Sequence, residues 1–396
     1  MATLYYPPGH CSFELVLLSF DATAQRQKPA APFPRLEAAS PMTSLVTGGC
    51  GFVGRHLVRR LLAQQHDVWI IDDLSTGLHP DLWLEGISER QERDGLLQFC
   101  LSGRAVTFLH EDAAVVFLKQ LGAATCPAPV RFPAFDSVFA LASVVGGRAK
   151  IDGDPIGVGV DLAIDSLLFL WLVRNRKEVG KVLYASSSAA YPINLQKSEG
   201  HVALREEMID FSTGELGQPD MSYGWSKLTG EYLSRLAASH YGVSIACVRP
   251  FSGYGEDQDL TYPVPAIAFR VARGDDPITV WGTGEQGRDF VHIEDCITAM
   301  LLAVDVIHDG SGVNIGTGKL TTFLEAAALL SRLAGRTARV RPMIGQPVGV
   351  QSRYCDPAHM ERVLQWKPGI SMEEGFSGVL RAARDRVQTL GPNALD

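Results

Sequence analysis

Thr47-Gly48-Gly49-Cys50-Gly51-Phe52-Val53-Gly54 follows directly on the apolar run Leu45-Val46-Thr47 and opens a stretch of helical length. Its glycines fit two overlapping spacings. Gly49, Gly51 and Gly54 read as G-x-G-x-x-G, and Gly48, Gly51 and Gly54 as G-x-x-G-x-x-G. Missing side chains permit a tight turn, close approach of backbone to a pyrophosphate, and close packing of helix on strand. The helix N-terminus then offers N–H groups and partial positive charge to phosphate oxygens. A purely structural glycine turn carries the same letters, so the surroundings decide.

Those surroundings alternate. Strand-like runs at Leu45–Thr47, Val68–Ile71, Val106–Leu109, Ser137–Leu141, Val182–Ala185 and Ser244–Val248 are separated by helix-length segments such as Gly54–Gln65, Gly159–Arg174 and Tyr223–Tyr241. Short runs apolar throughout belong to strands buried on both faces, and strand–helix–strand order builds a parallel sheet. The expected fold class is α/β: a Rossmann-type doubly wound parallel sheet with a smaller C-terminal substrate-binding lobe. The expected division is an N-terminal extension over 1–41, a dinucleotide-binding domain over 42–248 to which 290–318 returns, and a second lobe from 249–289 and 319–396. Six prolines between Pro7 and Pro41, with no amphipathic period, predict that the extension is poorly ordered and dispensable for folding. His79–Arg104 reads as a partly charged insertion and Cys126–Pro133 as a proline-rich loop.

Composition narrows the class. Over 396 residues, 46% are hydrophobic and 20% charged, as in a soluble globular enzyme. A net charge of -8 gives no footprint for nucleic acid and opposes adhesion to anionic membranes, so an anionic substrate needs a local cluster of Arg or Lys. Seven dispersed cysteines without a C-x-x-C pair read as reduced thiols of a cytoplasmic protein, and their spacing offers no metal site. The apolar stretch Ile156–Val173 is interrupted by Asp161 and Asp165 and falls short of the roughly 20 residues of a membrane span. Glu14–Phe20 is too short for a signal sequence.

Asp72 ends the second strand, eighteen residues after Gly54. A carboxylate there accepts hydrogen bonds from ribose hydroxyls and repels a 2′-phosphate, which favours NAD over NADP. An aspartate that merely caps a loop is the other reading. Asp112 follows the third strand, where it is placed to meet an adenine amino group. Phe52 and Val53 within the glycine turn, and Leu141 at the end of the fourth strand, complete the expected cofactor contacts. Tyr223-Gly-Trp-Ser-Lys227 opens a helix, and residues four apart share a face, so phenol and ammonium can act together. Lys227 and the positive nicotinamide ring are expected to make Tyr223 a usable base near neutral pH. Ser187, in Ser186-Ser-Ser-Ala-Ala-Tyr191 after the fifth strand, lies 36 residues before Tyr223. Ligands of open parallel sheets bind outside the carboxyl ends of the strands. A surface Tyr–Lys pair and a serine turn capping a strand are the structural alternatives.

Together these residues resemble the extended short-chain dehydrogenase/reductase family, the NAD-dependent epimerases and dehydratases of nucleotide sugars, from about Thr43 to Phe376. Asp72–Gly77 is similar to the ribose-binding turn of UDP-glucose 4-epimerases. Arg249–Gly255 resembles the family's R-x-x-N-x-Y-G segment, Trp281–His292 its nucleotide-binding stretch, and Asn314–Gly318 its late glycine turn. The resemblance implies that Gly48, Gly51, Gly54 and Asp72 bind NAD, and that Ser187, Tyr223 and Lys227 are catalytic. It further implies that Arg288 and Arg353 hold the nucleotide diphosphate, that Ser188 and Ser252 contact the sugar, and that the chain forms a homodimer through its apolar helices.

Ser-Ala-Ala-Tyr-Pro192 and Val348–Arg353 look particularly like GDP-mannose 3,5-epimerases, but Ala189 replaces the cysteine acid/base of those enzymes and Pro263 lies near their lysine. Dehydratases of the family carry an Asp-Glu pair where this chain has Ser188 and Ala189, Ser252 replaces a substrate-binding Asn, and Phe139 replaces a frequent His. The remaining chemistry needs only Ser187, Tyr223, Lys227 and NAD. Inversion at C4 of a nucleotide-diphosphate hexose through a transient 4-keto sugar is expected. Other 4-keto chemistry (3,5- or 5-epimerisation, dehydration, decarboxylation) and a non-catalytic NAD-binding regulator are the alternatives.

Overall fold

Leu45 and Val46 have no exposed surface, so the strand that holds them, Thr43–Thr47 (β1), must lie inside a sheet covered on both faces. It is the fifth of nine strands. The others are β2 (Asp67–Asp72), β3 (Ile87–Arg93), β4 (Leu96–Leu101), β5 (Arg104–His110), β6 (Phe135–Ala140), β7 (Val179–Ala185), β8 (Ser244–Pro250) and β9 (Asp309–Ile315). Their order is β9-β8-β7-β6-β1-β2-β5-β4-β3, parallel from β9 to β5. The chain runs outward from β1 in one direction and from β6 in the other, so the carboxyl ends of β1 and β6 form the switch point where such sheets bind ligands. The computed structural model describes residues 41–122, 130–144, 146, 152–197, 200–346 and 348–391. The expected extension, apart from Pro41, and residues 126–129 of the proline-rich loop lie outside the described residues.

The insertion His79–Arg104 enlarges the sheet. β3 and β4 pair antiparallel with each other, and β4 pairs antiparallel with β5. Two-residue turns, Asp94-Gly95 and Ser102-Gly103, join them with positive φ at all four residues (53°, 75°, 48° and 78°). That is the geometry hairpin turns select Gly for. Leu97, Phe99 and Leu101 alternate inward to pack with Trp83 and Leu84, while the edge strand Ile87–Arg93 turns charge to solvent. A charged edge discourages pairing with another chain.

The helical run Pro155–Arg174 is 20 residues long with a mean hydropathy of 2.0, which corrects the expectation that it is too short to span a membrane. Its apolarity has another cause. The helix Asp161–Arg174 packs Ile164, Leu168, Trp171 and Leu172 into the sheet's core, and Asp161 and Asp165 are buried with hydrogen-bond partners. After β8 the chain also builds short sheets, Ile278–Trp281 with Val340–Met343, and Gly287–Arg288 between Thr321–Thr322 and Ser352–Arg353. They flank a separate apolar cluster that includes Ile267, Ile278, Phe290, Phe323 and Phe376.

An ionic clamp ties the first helix, Phe52–Ala63, to the segment after Tyr254. His56 Nε2 meets Asp257 Oδ1 at 2.8 Å and Nδ1 meets Glu294 Oε1 at 2.7 Å. Arg55 bonds Asp257 at 2.9 Å, and Arg60 pairs with Glu294. Burial alone pulls the His56 pKa down, but the two carboxylates outweigh it and raise it to about 9. Glu294 is correspondingly held down to about 2, chiefly by its bond to His56. A folded-state pKa above the unfolded value of roughly 6.5 stabilises the fold fully below that pH, and the contribution is lost as pH rises through the folded value. His56→Gln is therefore expected to lower the melting temperature most near pH 6 and progressively less toward about pH 10. Thermal unfolding of both proteins across that range checks this, and a pH-independent difference would contradict it.

Candidate active site

At Gly48 and Gly54 the glycine turn leaves room for nothing larger than hydrogen. A β-carbon on Gly54 would lie 2.2 Å from the Gly48 carbonyl oxygen, and one on Gly48, whose φ is +69°, would lie 2.8 Å from the Ala142 nitrogen. Gly51 stands in the N-cap position of the first helix with no side-chain cap, which leaves the helix end to an anion. Phe52 and Val53 pack against the core beneath, and Thr47 Oγ1 accepts from the N–H of Leu141 and of Ala142 at 3.1 Å, tying β1 to β6 at the switch point.

Asp72 belongs to the same cradle. Its carboxylate accepts from Cys50 N at 2.9 Å and Leu74 N at 2.8 Å. Burial pushes its pKa up, and these two bonds pull against that rise. A carboxylate has about four acceptor sites, so two remain for ribose hydroxyls. A cradle that a β-carbon would fill, an uncapped helix end and an acid at the end of β2 fit NAD. Asp112 is partly committed elsewhere: its Oδ1 caps the helix Ala113–Gln120 by accepting from Val115 N at 3.1 Å.

The Ser187 turn and the Tyr223 helix (Met221–Tyr241) meet through backbone. Ser187 caps the short turn Ser188–Ala190, its Oγ accepting from Ala189 N at 3.1 Å, which leaves the O–H to donate. The Ala189 carbonyl accepts from Asp220 N at 3.0 Å, and a β-carbon on Gly224 would lie 2.4 Å from the same oxygen. The start of the Tyr223 helix is thereby held against the turn that follows β7. One turn later Lys227, 3% exposed, places Nζ 5.7 Å from the Tyr223 ring centre and 5.5 Å from that of Tyr184. Burial opposes its charge, but Tyr223, Asp165 and Asp161 outweigh burial and raise its pKa, so it stays an ammonium.

Asp165 was not expected here. It accepts from Tyr184 Oη at 2.6 Å, and burial pushes its pKa up to about 6 against the pull of Lys227. Its signal in the sequence is an acid inside an otherwise apolar helix. Tyr262 was also missed. Burial first, then the charge of Tyr223, raises its pKa.

Beneath the site Arg249 bonds Glu231 through Nε at 2.8 Å and Nη2 at 2.6 Å, and donates from Nη1 to Tyr191 Oη at 3.0 Å. Tyr191 in turn donates to Asn314 at 2.8 Å, and Ser186 donates to Glu231. The motif arginine is thus a buried strut that joins the serine turn, the Tyr223 helix and β9.

Arg288 and Arg353 are register partners on adjacent short strands, so the structure brings the two expected phosphate ligands side by side. Both are engaged. Arg288 donates to the carbonyls of Val350 at 2.9 Å and Val348 at 3.2 Å. Arg353 donates from Nε to Gln196 at 2.5 Å and from Nη2 to Asp220 at 2.8 Å. Ser188 is buried beside Ala189, and Ser252 is half-buried, its N–H bonded to Asp289 O at 2.9 Å.

The family model for the NAD dependent epimerase/dehydratase family matches residues 44–316. A UDP-glucose 4-epimerase of Mycolicibacterium smegmatis is 24% identical over 352 residues, 88% of this chain and all of that protein. A dTDP-4-dehydro-6-deoxy-D-allose reductase of a Streptomyces species is 28% identical over 332 residues, 82% of this chain and 91% of that one. The crystal structure of UDP-glucose 4-epimerase with UDP-glucose from Thermotoga maritima shares the fold, with a TM-score of 0.68 at 24% identity, covering 88% of this chain and 100% of that one. With the glycine cradle, Asp72 and the Tyr223–Lys227 pair, the chain belongs to the NAD-dependent epimerase/dehydratase family and is an enzyme whose cofactor is NAD.

Proposed function

We propose that this enzyme inverts C4 of a nucleotide-diphosphate hexose through a transient 4-keto sugar. The observations that support the reading are the backbone bond joining the Ser187 turn to the start of the Tyr223 helix, and a charged Lys227 whose Nζ lies 5.7 Å from the Tyr223 ring centre. NAD, when bound, supplies the acceptor and later the donor of hydride. Tyr223 takes the proton of the sugar hydroxyl as its carbon is oxidised and returns it on reduction. Ser187, one of whose lone pairs accepts from Ala189 N, donates its O–H to the same sugar oxygen. Lys227 stabilises the phenolate form in which Tyr223 accepts the sugar's proton. Arg288 and Arg353 receive the diphosphate, Ser188 and Ser252 border the sugar, and the chain after β8 forms the substrate-binding lobe.

Ala189, buried and without a proton-transfer group, supports inversion at C4 rather than at C3 and C5. Inversion at C3 or C5 is the alternative reading. Incubation with UDP- and GDP-hexoses in heavy water separates them. C4 epimers without solvent deuterium are expected, and deuterium at C3 or C5 would overturn simple C4 inversion. Tyr223→Phe should lower kcat by about 10²–10⁴-fold.

Two further features follow. The exposed apolar residues Leu162 and Leu170 on the helix Asp161–Arg174, with Trp225 and Tyr232 on the Tyr223 helix, support a homodimer through these two helices. Light scattering should give twice the chain mass, and Leu170→Glu with Trp225→Glu should halve it. A monomeric wild type would contradict the dimer. Free thiols at the five described cysteines support a cytoplasmic location.

A further inference from the structure

Asp220 stands in the N-cap position of the Tyr223 helix. A carboxylate there ordinarily accepts from the second or third backbone N–H of the helix, and the third belongs to Tyr223 itself. Asp220 makes no such bond. It reaches instead to Arg353, Oδ2 accepting from Nη2 at 2.8 Å, with side chains only 11% and 12% exposed. Gln196, fully buried, accepts from Nε of the same guanidinium at 2.5 Å. In the same first turn of the helix, Ser222 Oγ is buried and has no hydrogen-bond partner among the described residues.

The pair joins two parts of the site. Asp220 begins the helix that carries Tyr223 and Lys227, and its N–H is bonded to Ala189 O beside Ser187. Arg353 lies on the short sheet in register with Arg288. A carboxylate 2.8 Å from a buried guanidinium cancels its charge locally, so an anion that comes to Arg353 competes with Asp220. A diphosphate wins that contest on charge and on its capacity for paired hydrogen bonds. The displaced carboxylate then has a ready destination, because a helix N-terminus stabilises an anion and offers N–H donors.

We propose that Asp220 is a positioning residue that alternates between two partners. It holds Arg353 in the substrate-free enzyme and caps the Tyr223 N–H once a nucleoside diphosphate occupies Arg353. The exchange leaves no buried charge unpaired: phosphate oxygens take the guanidinium, and the Tyr223 N–H with the Ser222 hydroxyl takes the carboxylate. Diphosphate binding thereby firms the turn from which the catalytic phenol projects. This rests on the reading that Arg353 receives the diphosphate.

The test titrates UDP and GDP into the NAD-loaded full chain by calorimetry, for the wild type, Asp220→Asn, Asp220→Ala and Arg353→Ala. Removing the competing charge should tighten the preferred diphosphate at least about fivefold in both Asp220 variants. Turnover of the hexose nucleotide should fall in Asp220→Ala and recover in large part in Asp220→Asn, which can still cap. In the wild type, UDP or GDP should slow amide hydrogen exchange in the peptide spanning 220–224, a readout that needs no variant. Diphosphate binding no tighter in Asp220→Asn, or unchanged exchange at 220–224, would overturn the proposal. Wild-type affinity in Arg353→Ala would instead remove Arg353 from the site, and the proposal would fall with the reading beneath it.

Discussion

Between the α-carbon of Gly224 and the carbonyl of Ala189 there is space for a hydrogen atom and nothing more. That contact lets the helix after β7 begin directly on the turn that ends β7, and everything chemical in the molecule depends on it. Tyr223 precedes the glycine, Lys227 follows it by one turn, and Ser187 lies two residues before the carbonyl. A larger residue at 224 would push helix and turn apart and separate the phenol and hydroxyl that the proposed mechanism brings to one substrate oxygen. Displacements of that size are costly for reacting groups, on the order of 10²-fold for 1 Å.

Buried ions keep this contact rigid. Arg249 and Glu231, both nearly inaccessible, link the serine turn, the Tyr223 helix and β9 through Ser186, Tyr191 and Asn314. Such a pair adds little net stability compared with a well-packed apolar replacement, but losing one partner costs about 3–5 kcal/mol. Its use here is geometric. A second set, Lys227 with Asp165, Asp161 and Tyr184, keeps the ammonium charged in a place where burial alone would discharge it. The site therefore has a persistent positive charge beside the phenol without exposing that charge to water.

What the sequence revealed depended on distance along the chain. The glycine turn, Asp72, the six expected strands and the Tyr223–Lys227 pair are local patterns, and each is legible within about twenty residues. The hairpin of β3 and β4 was read only as a charged insertion, although Asp94-Gly95, Ser102-Gly103 and the alternation of Leu97, Phe99 and Leu101 carried its signal, because its charged outer strand masked the period. Arg353 with Asp220, 133 residues apart, and His56 with Asp257, 201 apart, could not be read, because no local spacing records a partner brought near by folding. Asp165 fell between the two cases. Its position in an apolar helix was visible as an interruption, while its role beside Lys227 needed the packing of two helices.

The account stands on a phenolate that removes a proton while the adjoining carbon is oxidised. Its most direct test is the absorbance of the bound nicotinamide when a hexose nucleotide is mixed with NAD-loaded protein. In the wild type, reduced nicotinamide should appear and then decay as the sugar is reduced again; in Tyr223→Phe, with both ligands still bound, it should not appear. Reduction at the wild-type rate in Tyr223→Phe would contradict the assignment of Tyr223 as the base.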